Sequence, residues 1–447
     1  MKKNILLIFL FLNSNQIFSQ ENYNKCNTTK LVNEEVKKNT DYTESRAKSL
    51  DLSKAEKQKT TITIPVVVHV IHRQNHINIG SGTNISNAQI EDQLRILNED
   101  FSKTNPEFPN PPRNTFLNNA GNPDIEFCLA TIDPNGDPTS GITRTPTTKL
   151  SFDADTESND MKRYSTEGRD GWDPYRYLNI WVCNLSNAGS GMTLGYAYLP
   201  GLLANPFNTS NHYKDGLVVD YNFFGTIGVA SPSSDGRTPT HEIGHYLGLM
   251  HTFCENQGGG CCDNDNNNWG GSVDDTPAAE AVYFGPVTAN TNNNTCNDLA
   301  YSNIFNTDVL DMDENYMSYA ANTWMFSEGQ VDVMLSVLNT SEFNGGRSTL
   351  KNSNVSTNCT GIISSTETLS ANINLNIFPN PTKGTLSIRS SAKIISISAY
   401  NMIGKEIMSN IRLNNNIFDI SQLSNGIYFL NINTDKGIVT KKIVISK

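Results

Sequence analysis

The run Thr240-His241-Glu242-Ile243-Gly244-His245-Tyr246-Leu247-Gly248-Leu249-Met250-His251 holds the residues best suited to chemistry in this chain. His241 and His245 are four apart, so on a helix their imidazoles stack on one face and reach a common metal ion. Gly248 can adopt the left-handed conformation that ends a helix, and the redirected chain returns His251 toward the same ion. Three nitrogen ligands leave one tetrahedral position open, and an open position is what distinguishes a catalytic zinc from a structural one. Glu242, beside the first histidine, is placed to take a proton from water held there.

Flanking words narrow the pattern. Gly236-Arg237-Thr238 leads into it, His251-Thr252-Phe253 leaves it, and Val273-Asp274-Asp275-Thr276-Pro277 and Asn315-Tyr316-Met317-Ser318-Tyr319 follow. Together, across about residues 60 to 345, they resemble the metzincin metallopeptidases and within them the pappalysin family, especially its small bacterial members. That resemblance implies a secreted zinc endopeptidase acting on protein or peptide substrates. It implies further that Met317 forms the apolar floor beneath the ligands and that the Tyr319 phenol stands near the zinc as an oxyanion donor. Val273, Asp275 and Thr276 match a stretch that offers oxygens to calcium in the family, although Gly271 replaces an upstream acid. Relatives that cleave beside Lys or Arg carry an aspartate in the specificity pocket where this chain has the neutral Asn322, so a basic preference is not carried over. Lys25-Cys26-Asn27 resembles a cysteine-switch segment, with Asn27 in place of the usual glycine. A Cys26 thiolate in the fourth coordination position would displace the water and keep a zymogen silent. Cys26 paired in a disulfide or free is the alternative.

The elements that must position these groups are legible in outline. Ile62 to Ile71 reads as a buried strand, and its His69, with His72 beside it, is not assigned to the metal. Ser86 is a candidate cap for a helix carrying Ile90, Leu94, Leu97 and Phe101. Strands are expected around 124–132 and 177–183. Either the 215–221 strand or Gly195-Tyr196-Ala197-Tyr198 is expected at the cleft edge, where it would pair with an extended substrate. A helix capped by Ser327 and bearing Val331, Met334, Leu335 and Leu338 closes the unit. The expected fold class is α+β: a metzincin-like domain, with a twisted mixed sheet and an active-site helix, followed by a small C-terminal β-sandwich.

Organisation along the chain follows from composition. Residues 1–20, with Lys2, Lys3 and the apolar run Ile5 to Leu12, read as an export signal too short for a permanent membrane span. Residues 21–60 are expected to be a propeptide or a disordered leader, 61–345 the catalytic domain, 346–372 a linker and 373–447 the β-sandwich. The words Phe378-Pro379-Asn380-Pro381 and Gly426-Ile427-Tyr428 and the basic ending resemble the sorting domains of the type IX secretion system, which would make that machinery a partner. A generic β accessory module is the alternative. The stretch between residues 60 and 370 holds 14 Lys+Arg against 35 Asp+Glu, so this acidic middle repels nucleic acid and anionic membranes. Eight cysteines in an exported chain suggest disulfides, with Cys128 and Cys183 as one candidate pair. Cys254, Cys261, Cys262 and Cys296 would staple the Asn/Asp/Gly-rich loop after the motif or, alternatively, hold a structural zinc. Two other readings share the ligands: a non-catalytic binding protein or adhesin on the same scaffold, and a zinc amidase acting on a non-protein substrate.

Overall fold

The structure, a computed structural model, describes residues 25–56, 61–188, 191–204, 209–254, 262, 273–301, 304–355, 375–401, 406–409, 411–434 and 437–447. The expected export signal, Cys261, Cys359 and residues 356–372 of the expected linker lie outside the described residues. The chain divides into two compact units, residues 1–359 and 360–447.

In the first unit, helices α1 (Thr28–Lys38) and α2 (Thr40–Ser49) precede strand β1 (Ile62–Arg73). Helix α3 (Asn87–Phe101) and strands β2 (Ile125–Leu129), β3 (Ile142–Thr147), β4 (Phe152–Asp153), β5 (Leu178–Cys183), β6 (Leu185–Ser186), β7 (Gly195–Ala197) and β8 (Leu217–Asp220) follow. Helices α4 (Thr238–Tyr246), α5 (Asp298–Tyr301), α6 (Glu328–Asn339) and α7 (Ser348–Lys351) complete it. β1 is the axis of the main sheet: parallel β2 and β3 pair with successive halves of it, and parallel β5 pairs along its middle. β8 continues the sheet parallel to β5, and antiparallel β7 forms the border. Such a central parallel strand is covered on both faces, which accounts for the unbroken buried run in β1.

α3 is capped by Ser86, whose hydroxyl accepts from the Gln89 amide at 3.1 Å, and it lays Ile90, Leu94, Leu97 and Phe101 into the core. α6 begins with a capping box between Ser327 and Gln330 and buries Val331, Met334, Leu335 and Leu338. His69 bonds Thr143 at 2.8 Å and Asn179 at 3.0 Å, a satisfied core histidine. Packing runs on past residue 345, where the linker was expected. Leu350 of α7 joins the main core, and the Val355 carbonyl accepts from the Thr131 amide at 2.9 Å.

Cysteine pairing departs from expectation. Cys183 is a free, buried thiol, while Cys128 is in a disulfide. β1 lies between their strands, and two strand spacings of about 4.8 Å exceed the reach of a disulfide. Cys262 bonds Cys296 and Cys254 is also oxidised, so these thiols are not available for a structural zinc.

The second unit holds β9 (Leu375–Phe378), β10 (Thr385–Ser390), β11 (Ile394–Tyr400), β12 (Glu406–Met408), β13 (Ile417–Asp419), β14 (Gly426–Thr434) and β15 (Gly437–Ile445). They form antiparallel sheets ordered β13-β10-β9 and β12-β11-β14-β15, with Leu386, Ile388, Ile397, Leu430 and Ile432 in the shared core. The Phe-Pro-Asn-Pro word has a structural use here. The Asn380 amide donates to the Lys442 carbonyl at 2.9 Å and accepts from the Val444 amide at 2.8 Å, imitating a strand along part of the β15 edge.

One buried ion pair ties the end of α4 to the remainder of the first unit. Arg347 meets Asp215 through two nitrogen-oxygen contacts of 2.9 and 2.8 Å, and its Nε donates to the Tyr246 carbonyl at 2.8 Å. Replacing one member strands the other charge in the interior. Arg347→Met is therefore expected to lower unfolding free energy by about 3–5 kcal/mol in a urea titration; a loss below about 1 kcal/mol would show that Asp215 is solvated in solution.

Candidate active site

α4 starts with Pro239 in its first turn, where no intrahelical N–H is needed, and every residue from Pro239 to Tyr246 is buried. It stops because Gly248 takes φ +100°. That turn returns His251 to the helix face. The Nε2 atoms of His241, His245 and His251 then lie 3.1 Å from one another in all three pairs.

The protonation pattern tests whether a metal suits this arrangement. His241 Nδ1 lies 2.7 Å from the Tyr316 carbonyl and His245 Nδ1 lies 2.8 Å from the Leu249 carbonyl. Each carbonyl can only accept, so each Nδ1 carries the proton and each Nε2 presents a bare lone pair. Burial, reinforced by the neighbouring imidazoles, pushes His241 and His245 well below the ordinary histidine value and keeps them neutral. Lone pairs converging in a dry site repel unless a cation lies between them. Nitrogens bound to tetrahedral zinc at about 2.0–2.1 Å stand roughly 3.3–3.4 Å apart, close to the spacing seen. The residues fit the ion.

Cys26 completes the group. Its Sγ and the three imidazole nitrogens all lie within 4.8 Å of one another, and all four residues are buried. The residues around it are held as a strand against the border of the sheet. The Leu194 amide donates to the Lys25 carbonyl at 2.8 Å, and the Asn27 amide donates to the Gly195 carbonyl at 3.3 Å. Thr28 Oγ1 bonds both the carbonyl and the amide of Ala197, at 3.0 and 2.9 Å. This pairing is parallel to β7. Asn27 has φ −95°, so no glycine is required at its position, and its side chain donates to the Ala154 carbonyl at 2.6 Å.

Glu242 is 1% exposed, and its Oε2 accepts from the Cys26 thiol at 3.4 Å and from Thr28 Oγ1 at 3.3 Å. Burial raises its carboxyl to about 8, against the pull of those two hydrogen bonds. Met317 is fully buried beneath the helix, so close that a Cβ added to Gly244 would meet its sulfur at 2.4 Å. Gly244 is thus required by close approach rather than by backbone angle. The Tyr319 hydroxyl accepts from the Cys26 amide at 3.1 Å, and its ring centroid lies 5.0 Å from that of His251.

Of the two segments considered for the cleft edge, β7 holds the border and β8 is interior. Beside the imidazoles opens a cavity of about 420 Å³, lined among others by Asp235, Arg237, Phe284, Tyr319 and Thr323. Asn322 does not line it. Its amide is used at both ends on Val287, accepting from the backbone N–H at 2.7 Å and donating to the carbonyl at 3.0 Å. Lys25 enters the cavity instead: its Nζ donates to the Tyr319 carbonyl at 2.8 Å and stands 5.8 Å from the Phe284 centroid. Burial lowers the Lys25 pKa and the nearby Asp235 carboxylate opposes that shift. Lys25 belongs to one word read from the sequence and Asp235 adjoins another, but nothing in their spacing marked them as neighbours.

The stretch that the resemblance offers for calcium lies against the start of α6. Asp275 spends both carboxylate oxygens on the start of α6, accepting from Ser327 Oγ at 2.6 Å and from the Gly329 amide at 2.8 Å. Thr276 Oγ1 donates to the Val273 carbonyl at 2.9 Å. Gly271 lies outside the described residues.

Comparison with known proteins accords with this geometry. Residues 161–339 match the family described as pregnancy-associated plasma protein-A, and residues 376–446 match the secretion system C-terminal sorting domain. An extracellular metalloprotease of Pyricularia oryzae is 28% identical over 230 residues, covering 51% of this chain and 61% of that protein. The chain thus spans about three fifths of the length of such fungal relatives. Mature mirolysin of Tannerella forsythia, solved with a cleaved peptide, is 37% identical with a TM-score of 0.52, over 66% of this chain and 97% of that one. A promirolysin mutant from the same organism is 32% identical with a TM-score of 0.55, over 73% and 97%. The ordered sequence words, the helix with its returning third histidine and these matches lead to one conclusion: the chain belongs to the pappalysin family of metallopeptidases and carries a secretion-system sorting domain.

Proposed function

We propose that this chain is the latent precursor of an exported zinc endopeptidase. The observation that carries the reading is the convergence of three imidazole nitrogens 3.1 Å apart beside a buried carboxylate. His241, His245 and His251 would hold zinc, and the bound ion would supply Lewis acidity for a peptide carbonyl and for water at neutral pH. The remaining work belongs to side chains and backbone. β7, once released from residues 25–28, offers its backbone groups to an extended substrate running antiparallel, the reverse of the pro-segment. Glu242, freed from Cys26 and Thr28, receives a proton from the attacking water and delivers it to the leaving amine. Tyr319, freed from the Cys26 backbone, turns its hydroxyl toward the carbonyl oxygen that gains charge. Met317 supports the helix from below.

Cys26 is the latency element: its sulfur shares the ligand cluster, and its hydrogen bond occupies the base. The Lys25 ammonium in the neighbouring cavity supports a preference for Lys or Arg beside the cut, with Asp235 supplying the complementary charge that Asn322 does not. Matches to extracellular metalloproteases and to a sorting domain support export by the type IX route. A non-catalytic scaffold would give Glu242 no task, and an edge strand suited to an extended backbone favours peptides over small amides. Calcium at Val273, Asp275 and Thr276 remains part of the reading on the family resemblance alone, with Asp275 also bonded to the start of α6.

Three measurements test these roles. Glu242→Ala is expected to retain about one zinc per chain by elemental analysis while turnover of casein by the matured enzyme falls roughly 10²- to 10⁴-fold; retained turnover removes the assigned base. Cys26→Ala is expected to make the unprocessed chain cleave peptides, and persistent latency would place inhibition elsewhere in residues 25–56. In a proteome-derived peptide library, Asp235→Asn is expected to erase the enrichment of Lys and Arg beside the cut. An unchanged profile would exclude Asp235 as the determinant.

A further inference from the structure

Asp100 belongs to none of the sequence words above. It sits in the last turn of α3 and is 3% exposed. Both carboxylate oxygens are occupied: Thr240 Oγ1 donates to Oδ2 at 2.7 Å and the Tyr316 hydroxyl donates to Oδ1 at 2.7 Å. Arg237 Nε lies 3.5 Å from Oδ1, and the same guanidinium is held by Glu107 through contacts of 2.9 and 2.8 Å.

The partners matter because of what they adjoin. Thr240 immediately precedes His241 on α4. Tyr316 is the residue whose backbone carbonyl receives the His241 Nδ1 proton, and it immediately precedes Met317. One carboxylate therefore holds both bodies that aim the first imidazole: the helix that carries its Cα and the turn that orients its ring. A metal ligand keeps its direction only as well as the group on its other nitrogen is held, so a residue that fixes that group acts on the metal. Burying a carboxylate is unfavourable, and burial raises Asp100 to about 6 despite Arg237 and the two hydroxyls. An apolar side chain could fill the same volume without that penalty, but it could not restrain two hydroxyls at once.

We propose that Asp100 is a positioning residue for the metal site, orienting His241 through Thr240 and through the Tyr316 carbonyl. This rests on the reading that the three histidines hold zinc.

The test uses the full chain with Asp100→Asn, Tyr316→Phe and the double variant. Tyr316→Phe removes one hydroxyl and keeps the backbone carbonyl, so it remains informative if the Asp100 variant folds poorly. Zinc affinity is read by competition with a chromophoric chelator, ligand geometry by the visible spectrum of the cobalt(II) form, and stability by the thermal midpoint of the metal-free chain. Each single variant is expected to weaken zinc binding about 10- to 100-fold and to shift the cobalt bands, with the double variant little worse than Asp100→Asn alone. Zinc affinity and cobalt bands equal to the parent, with only the metal-free midpoint lowered, would reduce Asp100 to a structural residue and overturn the proposal. A parent chain that binds no zinc would instead overturn the metal reading and this inference with it.

Discussion

Three imidazole nitrogens meet at mutual distances of 3.1 Å in a buried site, and the lone pairs of His241 and His245 point inward. Without a cation this is an unfavourable arrangement, and the surrounding structure can be understood as what holds it in place. The Tyr316 and Leu249 carbonyls fix two of the tautomers. Gly248 turns the chain so that the third histidine returns, and Met317 fills the space under Gly244 that any larger residue would contest. Arg347 secures the far end of the helix by its bond to the Tyr246 carbonyl. Positive charge at that end also suits the helix dipole. The metal site is thus built by groups whose own positions are determined by packing against α3, α6 and the residues after Asn315.

Residues 25–28, in the proposed latent form, use the same features that would serve a substrate, in the opposite direction. Residues 25–28 pair with β7, Lys25 enters the side cavity, and Cys26 and Thr28 together occupy Glu242. Because the pairing is parallel, no peptide bond of this segment is presented in the orientation expected of a substrate. Attachment extends well beyond the cleft. Leu31, Val32 and Tyr42 enter an apolar cluster with Trp181, Tyr196 and Leu199, Glu35 pairs with Lys214 at 2.6 Å, and Leu50 joins the main core. Such burial makes the segment an integral part of the first unit and explains how a polar stretch folds as two helices.

Charge is divided between the units in a way that suits their tasks. The middle of the chain is acidic, while the sorting domain is basic and has a core of its own. Edge pairing recurs in both: β7 accepts the pro-segment, and the β15 edge is partly covered by the side chain of Asn380. Exposed strand edges are sites of association, and these two are engaged, the second in part, by residues of the chain itself.

Local chemistry was legible in the sequence. His241, Glu242, His245, Gly248 and His251 declare a metal-binding helix and its end because ligand spacing, helix period and glycine conformation are properties of short segments. The caps Ser86 and Ser327 and the alternating strands of the tail were readable for the same reason. Contacts between distant segments were not. Cys128 and Cys183 both stand in strand-like runs, and only the order of the sheet shows that β1 separates them. Asn322 occupies a familiar place in the chain, yet its amide turns away to Val287, while Asp235 and Lys25, 210 residues apart, line one cavity and the carboxylate acts on the ammonium. Asp100 had no signal at all, since a carboxylate near the end of an amphipathic helix usually faces solvent. The sequence alone determined which atoms can bind the ion and take the proton; tertiary structure decided what orients them and what occupies the cleft, because those relations depend on long-range packing that short-range periodicity does not encode.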